Sequence, residues 1–216
     1  MVISYSLSDE QLLAAIHDSA IAYSRLLNQT FLFIGKRRPN EFLWFQCTFQ
    51  KKNFMHLLGI NSETLTADSF YEHAIKDCLL FSDCSASRNH SRGTINAKCS
   101  CCAEMLNISN AKYLNIGEKD KISMHMDFDY AFGNIATLGF LQSSAGICYP
   151  ITLLPINIDE LTSSRYRILF VCKKDTDEIF YKEPVIEIKN GIFAELFPAF
   201  PRELKILFEN ENGPVG

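Results

Sequence analysis

No apolar run in the chain approaches the roughly 18 residues that a membrane helix needs, so no contact with a membrane is expected. The first residues, Met1-Val2-Ile3-Ser4-Tyr5, lack the basic segment and long apolar core of a secretion signal, and a cytoplasmic protein is expected. Low-complexity tracts, internal repeats and a clear linker are missing too, which leaves one domain over residues 1–216 as the expectation. Several chemical signatures are also absent. Without a Gly-x-x-x-x-Gly-Lys loop, a Gly-x-Ser-x-Gly elbow, a His-Glu-x-x-His helix or a dinucleotide fingerprint, phosphate-loop ATPases, elbow-type serine hydrolases, zincins and dinucleotide enzymes all lose support.

What remains is the composition of a globular protein, 47% apolar and 21% charged. The eight cysteines are scattered, and Cys47, Cys148 and Cys172 lie among apolar residues, which suits reduced thiols in a core. Cys84, Cys99, Cys101 and Cys102 lie nearer together, with His90 between them in sequence, but the run Cys99-Ser100-Cys101-Cys102 lacks the paired knuckles of a structural zinc site. A net charge of −4 argues against a nonspecific grip on nucleic acid over the whole surface. It leaves room for a basic cleft, because the charges segregate: Lys36-Arg37-Arg38, Lys51-Lys52, Arg88 to Lys98 with Arg92 inside it, Arg165, Arg167 and Lys173-Lys174 are basic. Solvated loop faces would give the same clusters.

The spacing predicts helices first and strands afterwards. Ser8-Asp9-Glu10-Gln11 matches a capping box and opens a helix running to about Asn28. Thr30 to Ile34 and Glu41 to Phe49 read as a hairpin around a basic turn, Gly35 to Asn40. A second helix is expected over Ala67 to Leu79, a loop over Phe81 to Gly93 and a third helix over Asn96 to Ile108. Strands are expected at Lys112 to Ile116, Ile122 to Tyr130, Ile135 to Leu141, Tyr166 to Lys173 and Ile179 to Ile188. The tail, broken by Pro198 and Pro201, should form short helical pieces. The fold class is therefore α+β: N-terminal helices and a hairpin, then a twisted antiparallel sheet, then a short helical C-terminal tail.

Four places could carry chemistry. His56 sits in the apolar run Asn53-Phe54-Met55-His56-Leu57-Leu58-Gly59, after Lys51 and Lys52, and reads either as a positioned acid–base group or as a core histidine. Asp127 and Asp129 would share one face of a strand and could hold a divalent metal, or simply form its polar face. Tyr149-Pro150-Ile151-Thr152 reads as a proline-fixed turn offering Thr152 to a phosphate, or as a loop in which Thr152 caps a helix. Lys173 and Lys174 end an apolar strand and could stabilise a charged transition state, or mark where the strand leaves the core.

The phrase Asn-Phe-Met-His-Leu-Leu-Gly resembles the Asn-Phe-x-His-Leu-x-Gly signature of the phage-associated barnase–EndoU–colicin–RelE-like nucleases, in their fourth subgroup. The resemblance continues through Ser69-Phe70-Tyr71, Lys98 by the third helix, Gly133-Asn134 and Leu138-Gly139-Phe140. It ends with Tyr149-Pro150-x-Thr152-Leu153-Leu154 and the strand closing on Lys173-Lys174, spanning roughly Leu12 to Glu187 with an extension over 188–216. It implies a barnase/EndoU/RelE-like fold and a cofactor-free, metal-independent ribonuclease, a toxin or mobile-element effector leaving a 2′,3′-cyclic phosphate. The expected catalytic residues are then His56, Thr152, Lys98 and Lys174, with Lys51, Lys52, Arg92, Lys173 and Tyr149 holding the substrate. The implied partners are RNA, tRNA or ribosome-bound among the possibilities, and an antitoxin or immunity protein. No second histidine stands at a matching motif position. Two other readings stay open: an inactive interaction module of the same fold, and a metal-dependent nuclease using Asp127 and Asp129.

Overall fold

The computed structural model describes residues 6–87, 90–121, 127–182 and 184–208. Helix α1 spans Asp9–Ser24 and opens with the expected reciprocal cap: Gln11 N–H donates to the Ser8 hydroxyl at 3.2 Å, and Ser8 N–H donates to Gln11 Oε1 at 2.9 Å. The helix stops short of Asn28, which adopts a left-handed φ of 62° and turns the chain into the sheet. Strands β1 (Gln29–Arg38) and β2 (Glu41–Thr48) form the expected hairpin, but pairing continues through Gly35 to Arg38. Only Pro39 and Asn40, the latter at φ 61°, are left for the turn.

The segment around His56, given no secondary structure by its sequence, forms helix α2 (Lys51–Leu57), followed by β3 (Ile60–Asn61) and α3 (Ala67–Ile75). The expected loop after α3 contains a 3-10 turn and β4 (Ser85–Ala86), which pairs with β3. Helix α4 covers Arg92–Met105, so it begins before Asn96, where Ser91 accepts the amide of Thr94 as its cap. After a 3-10 segment at Ile108–Tyr113 come β5 (Asn115–Glu118), β6 (Tyr130–Gly133), β7 (Thr137–Gln142), β8 (Ile147–Leu154), β9 (Tyr166–Asp175) and β10 (Ile186–Glu187). The tail forms α5 (Ile192–Leu196) and α6 (Arg202–Lys205), short pieces on either side of the prolines.

Three expectations are corrected here. Asp127 and Asp129 precede β6 rather than lying in a strand, and 122–126 fall outside the described residues. Tyr149 to Thr152 is not a turn but the middle of β8. Gly139 faces Thr152 and Phe140 faces Pro150, so Ile151 is the unpaired residue of a bulge, a place where a strand tolerates proline. Of the strand expected over Ile179 to Ile188, only Ile186–Glu187 pairs in a strand, with a bridge from Tyr181 to Phe208.

The sheet order is β1-β2-β8-β7-β6-β5-β9-β10, and β9 also pairs with β1, so seven strands close on themselves. All strand pairings in this sheet are antiparallel except β2–β8, a parallel contact of two residue pairs. Alternate residues of β1 face two different cores. Phe31 and Phe33 point to the ring interior, where Phe33 meets Phe132 of β6 at 4.9 Å between ring centroids. The same apolar cluster continues into Leu12, Ile16, Phe54, Phe70 and Cys102 of α1 to α4. Leu32 and Ile34 face outward with Phe170 and Cys172 of β9, and the tail covers them with Phe193, Phe197, Phe200 and Phe208.

Phe193 is 3% exposed and its ring contacts those of Phe170, Phe197, Phe200 and Phe208. Phe193→Ala should therefore lower stability by about 3–5 kcal/mol in urea denaturation. Ile206→Ala, at a side chain that is 54% exposed, should change it little. Equal effects would mean that the tail contributes no core.

Candidate functional site

The sequence of α2 divides by role. Phe54, Met55 and Leu57 are buried, whereas His56 is exposed and bonds through its carbonyl to Gly59 N–H at 2.9 Å. The side-chain oxygen of Asn53 is buried with no hydrogen-bond partner among the described residues. Gly59 adopts φ +72°, and a Cβ there would lie 2.6 Å from Cδ2 of His90. Glycine thus serves twice: it ends α2 with a left-handed turn, and it lets the His90 ring lie against the backbone.

His90 just precedes α4 and is held by its own amide, which donates to the Ser87 carbonyl at 2.9 Å; Ser87 N–H donates in turn to Gly59 O at 3.2 Å. Two turns into α4, Lys98 is fully buried. Its Nζ lies 3.3 Å from Nε2 of His90 and donates to Oγ1 of Thr152 at 3.4 Å. Thr152 adjoins the β8 bulge and faces Gly139, where a Cβ would come within 2.9 Å of the Thr152 methyl. Bulges of this kind re-aim the neighbouring side chain. Lys98, His90 and Thr152 therefore meet where α4, the loop before it and β8 converge, and the glycines at 59 and 139 make the space.

The electrostatics follow from burial. Desolvation pushes the Lys98 ammonium down to about 8. The thiols of Cys99, Cys102 and Cys101 lie around it, and among the described residues no carboxylate pairs with it. Those thiols are themselves raised by burial, Cys102 to about 12, so they remain protonated at neutral pH and supply no counter-charge. Burial first, and the Lys98 charge second, hold the His90 imidazolium below the usual histidine range. A protonated Lys98 donating to Nε2 leaves the ring proton of neutral His90 on Nδ1. The cluster thus offers a ring N–H, a hydroxyl and a cation, which is a setting for an anion.

The structure brings Lys98 and Thr152 together from the sequence-derived set, and adds His90, which the sequence grouped only with the cysteines. The cue available was its distance of eight residues from Lys98 across a helix start. His56 is one helical turn from Gly59, and no hydrogen bond joins its ring to Lys98, Thr152 or His90 among the described residues. Lys174 lies elsewhere: it donates to Ile179 O at 2.6 Å and covers the ring of Tyr181, part of the outward core. Lys51 pairs with Glu72 and lies over Tyr71, and Arg92 pairs with Asp9 at 2.9 Å over the Phe81 ring. Lys52 is exposed, Tyr149 is half-buried on β8, and Lys173 is exposed at the end of β9. Asp129 accepts the Gln142 amide at 2.7 Å and Asp127 is exposed. Among the described residues, no three His, Cys, Asp or Glu side chains gather as a metal-binding group. All eight cysteines are free thiols.

The family described as phage-Barnase-EndoU-ColicinE5/D-RelE like nuclease4 matches residues 15–190. The chain belongs to this family. Its mixed α+β architecture, with an N-terminal helix, a large antiparallel sheet and short C-terminal helices, is consistent with that membership. No curated protein and no solved structure matched the chain. Among the described residues no helix is long and apolar enough to cross a membrane. A nuclease of this family acts on nucleic acid, and the Lys98–His90–Thr152 cluster joins two positions that carried the family resemblance to a third outside it.

A cation buried without a carboxylate is a cost that its removal reveals. Lys98 passes from an ordinary 10.5 when unfolded to about 8 when folded. Its penalty is then fully present below pH 8 and is relieved as pH rises to 10.5, on the order of 3 kcal/mol in all. Lys98→Met should be more stable than wild type at pH 7, and that advantage should close between pH 8 and 10.5 in urea titrations. An advantage independent of pH would contradict the buried charge.

Proposed function

We propose that this nuclease-family chain is a metal-independent ribonuclease whose working centre is the Lys98–His90–Thr152 cluster. The observation that carries the reading is the contact of Lys98 Nζ with both His90 Nε2 and Thr152 Oγ1. In the proposed reaction the 2′-hydroxyl of RNA attacks the adjacent phosphorus and the 5′-oxygen leaves. The products are a 2′,3′-cyclic phosphate and a 5′-hydroxyl end. The Nδ1–H of His90 and the hydroxyl of Thr152 bond to phosphate oxygens, and Lys98 balances the charge that accumulates on them. His56, exposed one turn before Gly59, takes the 2′-hydroxyl proton while water protonates the leaving 5′-oxygen, or protonates that oxygen while water takes the 2′-hydroxyl proton. Lys174, engaged with Ile179 and Tyr181, has no part in this scheme. The substrate is an RNA reached through one local basic site, such as a tRNA or ribosome-bound RNA, because the chain as a whole is acidic. The setting is the cytoplasm, with an antitoxin or immunity protein as the matching partner for a toxin or mobile-element effector.

A second reading rests on the full burial of Lys98: a binding module that keeps the fold and the anion site but does not turn over. Incubation with total tRNA, with and without EDTA, followed by mapping of product ends, separates the readings. Cleavage that survives EDTA and leaves cyclic-phosphate ends is expected. EDTA-sensitive cleavage would point to Asp127 and Asp129, and no cleavage to the binding module. On a cleaved RNA, His90→Ala and Lys98→Met should each lower kcat by roughly 10²–10³, while Lys174→Met leaves it unchanged.

The pH dependence has a fixed sign. Lys98 is charged below about 8 and loses its proton above, so kcat should fall on the alkaline side near that value. A profile still rising at pH 9 would rule out a protonated Lys98 in the working enzyme.

A further inference from the structure

A groove of about 290 Å³ lies at the other end of α4, between the end of α1, the start of β1 and the ends of β9 and β10. Among the described residues, Arg25 and Lys173 are its charged residues, and no aspartate or glutamate lines it. Neither cation forms an ion pair among the described residues. In a chain with a net charge of −4, two exposed cations facing one groove with no acid among its described residues stand apart from the basic residues already engaged, such as Lys51 with Glu72 and Arg92 with Asp9. Ile108, Val185 and Ile186 form an apolar wall, with Val185 44% exposed, and Gln29 adds an amide.

We propose that this groove is a nucleotide subsite for single-stranded RNA, separate from the cleavage centre and resting on the ribonuclease reading. A planar base against Ile108, Val185 and Ile186 buries apolar surface that the fold leaves open. Its phosphate is held by Arg25 and Lys173, and the Gln29 amide can pair with a base edge. This division, stacking or apolar contact for the base and cations for the backbone, is how single strands are bound with little sequence preference. The groove suits a substrate that also reaches Lys98. Arg92 pairs with Asp9 at the start of both helices, and Leu106 and Leu26 line the groove at their ends, so α1 and α4 run side by side in one direction. From Lys98 to Asn107 is nine residues, about 13 Å along a helix, a distance that a strand of a few nucleotides spans.

The test uses the intact chain and 2′-O-methyl oligoribonucleotides, which lack the attacking hydroxyl and so report binding alone. Wild type should bind a hexamer more tightly than a dimer. The charge-reversed pair Arg25→Glu/Lys173→Glu should weaken hexamer binding roughly tenfold. Arg25→Lys/Lys173→Arg should restore the hexamer, since phosphate contact needs charge at these positions. With ordinary RNA, the charge-reversed protein should show a raised KM for the hexamer. A hexamer that binds wild type and the charge-reversed protein alike overturns the subsite, as does a wild type with no preference for the hexamer. If length-dependent binding is lost as expected and yet wild type cleaves no RNA, the groove stands and the ribonuclease reading falls. If RNA is cleaved and the charge reversal changes nothing, the cleavage centre stands and the groove falls.

Discussion

The double pairing of β9 is the constraint on which the rest of the molecule depends. One edge of this strand bonds to β1 along its length, and the other bonds to β5 at its start and to β10 further on. That closes the ring, and a closed ring has an inside that must be filled. Phenylalanines from strands far apart in sequence, Phe33, Phe45, Phe132 and Phe140, do this at centroid distances of 4.9 to 5.4 Å. The apolar cluster then runs on into the helices, which fixes α4 and α2 against β8 and brings Lys98 under Thr152. The outside of β1 and β9 needs a cover as well, and the aromatic tail supplies it.

Much of this was legible in the sequence where local chemistry decides. The Ser8–Gln11 cap, the β1–β2 hairpin and the proline-broken tail all follow from side-chain pattern and turn residues. Misreadings arose where tertiary pairing overrides local preference. Pro150 signals a turn on its own, yet β8 absorbs it beside the bulge at Ile151, because the neighbouring strand requires no amide there. The helix around His56 is only seven residues long, too short for its periodicity to stand out, and its apolar residues serve the core while the histidine faces out.

The site was half legible for the same reason. Lys98 and Thr152 were named as site residues, but His90, the other partner of the Lys98 ammonium, was grouped only with the cysteines. His90 lies in a polar loop among signals that suggest only a turn, and its role depends on Gly59, thirty-one positions earlier, leaving room for its ring. Lys173 and Lys174 looked equivalent as neighbours in a chain. Alternation in β9 separates them: Lys174 goes to the aromatic outer core and Lys173 to the groove with Arg25. The family match ends at residue 190, while the outward core is completed by Phe193, Phe197, Phe200 and Phe208. The tail therefore gives this chain a cover that the matched region does not contain.

The burial of Lys98 also bears on when the molecule becomes competent. Its ammonium comes from the first half of the chain and the hydroxyl beside it from β8, fifty-four residues later. Until β8 is laid down in the ring, that ammonium lacks its Thr152 partner, and a less buried lysine keeps more of its ordinary proton affinity. The Lys98–His90–Thr152 cluster is thus a product of complete folding. A chain still emerging from the ribosome carries the residues but not the cluster, which waits until synthesis has passed β8.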